Sequence, residues 1–194
     1  MVLRTGDAIP GEAGDENFPP RLPVRVEVVP MRRRHLRSVL AIEEKVYPRP
    51  WSLGLFIGEL SLRGSRLYSV ARMAGEIVGY SGLMVVGDDA HVTTIAVDPA
   101  WQRRHVGFRL MWEMATAARG RGIRNVTLEV RVANRTAQSL YQRFGFVPAG
   151  IRKNYYAETN EDALIMWAND IDTTDYGNQL ARLARDLPGA GDQP

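Results

Sequence analysis

The apolar positions of this chain keep changing period, and each change marks an element. They alternate over residues 24–29, which predicts a strand. Leu36, Val39 and Leu40 then recur at helical spacing, which predicts a helix over 31–46, broken by Tyr47-Pro48-Arg49-Pro50. Ser52 can cap a second helix that runs to about residue 63 with Leu53, Phe56, Ile57 and Leu60 inward. Strands follow at 66–73 and 76–86, joined by a tight Ala74-Gly75 turn, and at 91–97 after Gly87-Asp88-Asp89. Asp98-Pro99 ends the last of these. A helix over 105–119 buries Val106, Leu110, Met114 and Ala117, and Gly120 and Gly122 stop it. Residues 125–132 read as a strand, 134–144 as a helix facing inward with Ala137, Leu140, Tyr141 and Phe144, and 146–151 and 163–168 as strands. This order predicts an α/β fold: one mixed sheet of about seven strands with about four helices on its two faces.

Both ends lack that patterning. Residues 1–23 are rich in glycine and proline with no apolar period, and read as a flexible extension. The folded domain is expected over 24–170, followed by an extension over 171–194. Within the latter, Leu180, Leu183, Ala184 and Leu187 form a stripe for a short helix that docks on the domain or on a partner, with a disordered end after it.

Composition narrows the chemistry. The chain of 194 residues is 45% hydrophobic and 24% charged, enough for one sizeable core. No apolar run approaches the roughly 20 residues that span a bilayer, and no secretory leader is read, so a cytoplasmic location and no membrane partner are expected. The absence of cysteine excludes disulfides, thiolate metal sites and an acyl group parked on an enzyme thiol. His35, His91 and His105 are scattered without metal-ligand spacing, so no metal is expected. The net charge of +3 mildly favours an anionic ligand. Arg32-Arg33-Arg34 and Arg37 read as a solvated helix face, and no basic stripe with interleaved aromatics argues for nucleic acid.

Three stretches could carry chemistry. At 97–107 a strand ends, Gln102, Arg103 and Arg104 make a basic turn, and a helix opens with Gly107 in its first turn. Free N–H groups and the helix dipole there suit an anion, although an ordinary solvated turn gives the same pattern. Glu129 stands in mid-strand between Leu128 and Val130, either on a wet sheet face or as a general base. Tyr141 follows Asn134 by seven residues, on the same helical stripe, either as a core tyrosine or as a site residue.

Together these stretches resemble the GNAT acetyltransferase superfamily over about residues 24–168. Within it the chain is most similar to RimI-type protein N-terminal acetyltransferases, through Pro50-Trp51-Ser52, Ile95-Ala96-Val97-Asp98-Pro99, Leu128-Glu129-Val130-Arg131, Asn134 with Ala137 and Leu140-Tyr141, Phe144-Gly145-Phe146, and Arg152-Lys153-Asn154-Tyr155-Tyr156. The resemblance implies acetyl-coenzyme A as acyl donor and the N-terminal amine of an alanine-starting ribosomal protein as acceptor, joined by direct transfer. It implies that Ile95, Ala96, Val97, Gln102, Arg103, Arg104, His105, Val106, Gly107, Asn134 and Tyr141 bind the donor. Glu129 would be the base, Tyr141 the acid, and Glu43, Trp51, Arg131, Tyr155 and Tyr156 would meet the acceptor.

One residue departs from the family pattern. The phosphate loop reads Q/R-x-x-G-x-G/A, and His105 occupies the first glycine position. It either crowds the pyrophosphate or points outward and donates to it. Three other readings remain: a GNAT enzyme acting on a small amine or a lysine side chain, a non-catalytic acyl-coenzyme A sensor, and a partner-binding module working through its tails.

Overall fold

The structure, a computed structural model, describes residues 25–187. The extension read over 1–23 and the last seven residues therefore lie outside the described residues. The elements run β1 (Glu27–Pro30), a 3-10 turn (Arg33–His35), α1 (Leu36–Val46), α2 (Leu53–Ser61), β2 (Arg66–Met73), β3 (Glu76–Val86) and β4 (Asp89–Val97). A second 3-10 turn (Pro99–Trp101) leads to α3 (Val106–Gly120), β5 (Asn125–Arg131), α4 (Arg135–Arg143), β6 (Val147–Tyr156), β7 (Glu161–Ala168) and α5 (Thr174–Ala184).

All seven strands join one sheet in the order β1-β2-β3-β4-β5-β7-β6. α1 and α2 cover one face through Val39, Ile42 and Phe56, which meet Tyr68, Val70 and Tyr80. α3 covers the other with Leu110, Met111 and Met114, and α4 follows it with Tyr141. Burying a side chain of this size contributes about 1.5–3 kcal/mol, so each face holds its helices by apolar area. The β2–β3 turn is tight because Ala74 and Gly75 both take positive φ, 51° and 84°.

The decisive feature is a strand pair that fails to stay together. β4 and β5 are the sheet's parallel neighbours, and they pair only from Asp89↔Asn125 to His91↔Thr127. Against β3, Val92 pairs with Leu83 and Thr94 with Gly82, which leaves Thr93 bulged. A bulge bends and twists its strand. β4 keeps its ladder to β3 as far as Val97↔Gly79, while beyond His91 its other edge has no ladder to β5.

Some expectations shift. Leu53 is 49% exposed, because α2 buries a single narrow line centred on Phe56. Ala118, not Ala117, takes the last inward position of α3, since the buried stripe advances four residues at a time from Val106. β6 continues to Tyr156, and its polar second half carries no alternation that would have revealed it. α5 docks on the domain: Tyr176 and Leu180 are buried, the Tyr176 hydroxyl donates to the Phe144 carbonyl (3.0 Å), and Trp112 Nε1 donates to the Leu180 carbonyl (3.0 Å).

Candidate active site

Two hollows meet where β4 and β5 part. A groove of about 710 Å³ lies over the end of β4, the start of α3 and one face of α4. A pocket of about 350 Å³ lies between the α1–α2 loop and the β6–β7 hairpin. Ile95, Asn134 and Tyr141 line both.

The groove is built by local geometry. Asp98 ends β4, and its Oδ1 accepts from the Ala100 N–H (3.0 Å) while Oδ2 accepts from Lys45 Nζ (2.7 Å). The Lys45 hydrogen bond, aided by the Ala100 N–H, holds the Asp98 carboxyl below its ordinary pKa. The chain then turns through Arg103 and His105, both with left-handed φ (59° and 61°). Among the described residues no side chain caps α3, and Arg109 N makes the first bond back, to the His105 carbonyl (2.9 Å). The N–H groups of Val106, Gly107 and Phe108 are therefore left for a ligand, backed by the dipole of 15 residues. A methyl group on Gly107 would meet nothing nearer than 3.7 Å, so the protein itself does not require glycine there, and the space belongs to the groove. Arg103, Gln102 and Arg143 line its polar part, and Val97, Ala137 and Leu140 its apolar part. Arg104 does not line it; the guanidinium lies over the Trp101 ring at 5.0 Å. These residues fit an anionic thioester carried on a long flexible arm.

β4 supplies backbone groups to the gap. The Ile95 carbonyl accepts from the Tyr47 hydroxyl (3.2 Å), so this residue faces away from β3, and Val97, two positions on, lies on the same edge. Ala96 instead buries its side chain against α1 and α2. Tyr141 packs its ring against Phe146 at 6.0 Å, and its hydroxyl has no protein hydrogen-bond partner among the described residues. Burial pushes its pKa well up, so the hydroxyl stands protonated at the junction of the hollows. Asn134 caps α4, its Oδ1 accepting from the Ala137 N–H (3.1 Å).

The pocket is built from distant parts. Glu43, 1% exposed, accepts from the Trp51 N–H (2.8 Å) and from the Tyr80 hydroxyl, and burial raises its pKa. It thereby fixes the loop that presents Trp51, whose ring leans on Phe56 at 5.4 Å. Opposite, the Arg131 guanidinium lies 4.0 Å over the Tyr156 ring and pairs with Glu158 (3.4 Å) and Glu161, tying β5 to the β6–β7 hairpin. Burial pushes Tyr156 up to about 12, and its hydroxyl donates to the Glu129 carbonyl (3.4 Å). Tyr155 is 45% exposed at the rim. The Glu129 side chain is only 7% exposed, so it does not sit on a wet sheet face. Its Oε1 lies 3.1 Å from Arg152 Nη1 and its Oε2 3.3 Å from His91 Nε2.

Sequence reasoning missed several of these partners. The sequence marks Tyr47 only as part of a helix break and His91 as one of three scattered histidines, and it gives Arg152 a place in a matching segment but no role. His91 becomes legible only once β4 and β5 are known to pair in parallel and set it beside Thr127. Among the described residues no group of three or more acidic or histidine side chains could hold a metal. No helix among them is long and apolar enough to cross a membrane.

The profile of the acetyltransferase (GNAT) family matches residues 36–146, more than half of the chain. A putative ribosomal protein bS18-alanine N-acetyltransferase of Bacillus subtilis is 39% identical over 137 residues, 71% of this chain and 91% of that protein. The ribosomal protein bS18-alanine N-acetyltransferase of Salmonella typhimurium is 38% identical over 134 residues, 68% of this chain and 88% of that one. The crystal structure of the ribosomal-protein-S18-alanine N-acetyltransferase of Escherichia coli superposes with a TM-score of 0.69 at 31% identity, covering 75% of this chain and 94% of that one.

Proposed function

This chain belongs to the acetyltransferase (GNAT) family and is an acetyl-coenzyme A-dependent N-acetyltransferase, and from that premise we propose that it acetylates the N-terminal amine of an alanine-starting ribosomal protein. The observation that carries this reading is the meeting of the two hollows at Tyr141, with the pocket open between Trp51 on one side and Tyr155 and Tyr156 on the other. A chain end can enter there while the rest of the polypeptide stays outside. The relatives' names point to the same acceptor.

The roles follow from position. The α3 N-terminus with Gln102, Arg103 and His105 takes the phosphates, and Val97, Ala137 and Leu140 take the arm. An α-amine ordinarily titrates near 7.7–8.0, so a weak base is enough to free its lone pair. Glu129, through a water, takes one proton from the ammonium group. The N–H groups of Ile95 and Val97 polarise the thioester carbonyl and hold the negative charge that attack by the amine places on its oxygen. As the C–N bond forms and the C–S bond breaks, Tyr141 gives its proton to the departing sulfur and regains one from the nitrogen that has become the amide. One proton remains, on Glu129. Transfer is direct and needs no metal, in a cytoplasmic enzyme that contacts neither nucleic acid nor membrane.

The test is acetyl transfer to peptides with different first residues, beside free lysine and polyamines. An alanine-first peptide should be preferred; a preference for lysine or a polyamine would defeat the acceptor assignment. Donor binding by calorimetry should be the same with and without a chelator.

A further inference from the structure

Glu129 has surroundings that the chemistry above leaves unused. Besides the pocket, it lines a second hollow of about 330 Å³ over β5 and β7, floored by Met84, Ile165 and Trp167. His91 is the other side chain that, with Glu129 and Tyr155, lines both spaces. It stands on β4 at the last parallel rung, opposite Thr127, and the strands part just beyond it.

The proton taken up in each turnover has to leave. Glu129 is 7% exposed, so its own contact with solvent is slight. Both its oxygens are engaged, one by Arg152 and one by His91. A guanidinium has donors only and cannot accept a proton, whereas a neutral imidazole has one acceptor nitrogen. Of the two contacts, only the one to His91 Nε2, at 3.3 Å, leads onward. The His91 side chain is 27% exposed and borders the second hollow.

We propose that His91 carries the amine's proton from Glu129 to solvent. The inference rests on the reading that Glu129 receives that proton. Glu129 Oε2 passes it to Nε2 of a neutral His91 that holds its own hydrogen on Nδ1. The imidazolium then releases its Nδ1 hydrogen to water in the second hollow, and tautomer exchange through that water moves the remaining hydrogen from Nε2 back to Nδ1, which returns both side chains to their starting states. No other reactant is consumed. The charged and titratable groups that face the pair are Arg152 and Tyr155 from β6 and Arg131 from β5, while Tyr156 donates to the Glu129 backbone. β3 and β7 present Met84, Ile165 and Trp167, none of which titrates. Arg152 holds the carboxylate still while the histidine moves the proton.

The experiment is a pH profile of kcat on an alanine-first peptide for the wild type, His91→Gln and His91→Gly, the last with added imidazole. His91→Gln should lower kcat about tenfold or more near neutral pH, within the range of general acid–base effects. The loss should shrink at higher pH, where free amine accumulates, and imidazole should restore part of the rate of His91→Gly. A wild-type rate in His91→Gln, or an equal loss at every pH with no rescue, would overturn the relay and leave His91 a packing residue. If the wild type acetylates lysine or a polyamine instead of the peptide, the acceptor assignment fails, and the same variants read on that amine still decide the relay.

Discussion

The donor groove and the acceptor pocket share a wall but are made in different ways. Nearly all of the groove comes from two short stretches, the end of β4 through the first turn of α3 and one stripe of α4. Its working groups are largely backbone N–H groups at a helix start, and they need little beyond a chain that turns correctly. The pocket draws on α1, the α1–α2 loop, β4, β5, α4 and the β6–β7 hairpin, and its working groups are side chains that hold one another. On the proposed assignment, donor binding is therefore local and tolerant. On the same assignment, acceptor choice is a tertiary property, in which a change at one residue moves its partners.

The sharpest test of the division is Tyr141, which belongs to both halves. Tyr141→Phe should lower kcat by about 10²-fold or more, the usual range for a lost general acid, with little change in either KM and no recovery at high pH. Wild-type turnover would remove the junction from the mechanism. Glu129→Gln should cost somewhat less, about tenfold or more near neutral pH. It should recover partly above about pH 8, where the amine has lost its proton unaided. Parallel pH profiles for the two variants would erase the distinction between them.

Two further substitutions break one half and spare the other. Arg131→Ala frees Tyr156, Glu158 and Glu161 together, and should raise the acceptor KM about tenfold, equal to about 1.4 kcal/mol, at an unchanged donor KM. A matching rise in donor KM would show that the halves are not separable. His105→Gly removes a side chain from a left-handed position and should raise stability by about 0.5–1 kcal/mol in thermal or denaturant unfolding. Donor affinity should fall, with acceptor KM unmoved, because His105 is assigned to the phosphates; a rise would show that His105 crowds the pyrophosphate instead.

The smallest effect is a pH dependence at the pocket floor. Burial raises the Glu43 pKa, so the folded state holds this proton more tightly than the unfolded chain does. Its contribution is fully present below the unfolded value and is lost as pH rises through the folded one. Glu43→Gln should flatten that loss, so the variant gains relative to the wild type as pH rises above the ordinary carboxylate value of about 4.3. Denaturant midpoints across that range are the measurement, and a constant difference would contradict the assignment.

The same division runs through what could be read in advance. β2 and β3 were legible to the residue, because alternation and the Ala74-Gly75 turn are local signals. The helix opening at Val106 was legible for the same reason, and so was the basic turn before it. Alternation put Glu129 on the face of β5 opposite Leu128 and Val130 but left open whether that face was wet. Periodicity put Tyr141 on an inward stripe and left its hydroxyl undefined. The polar second half of β6 has no period at all; it is a strand because it pairs with β7, as Arg152↔Ala163 and Tyr156↔Glu161 show.

By itself, then, the sequence determined the order of elements, the mixed sheet, the turn before α3 and the faces of β5 and α4 that carry Glu129 and Tyr141, because period, caps and turn residues act over a few neighbours. The tertiary structure decided the rest. It set Glu43 beneath Trp51, laid Arg131 over Tyr156, and brought His91 and Arg152 to the two oxygens of Glu129. Those contacts depend on which strands pair, in what direction, and where a bulge at Thr93 lets two of them part. Strand pairing joins residues far apart in the chain, and no local pattern of hydrophobic and polar positions encodes it.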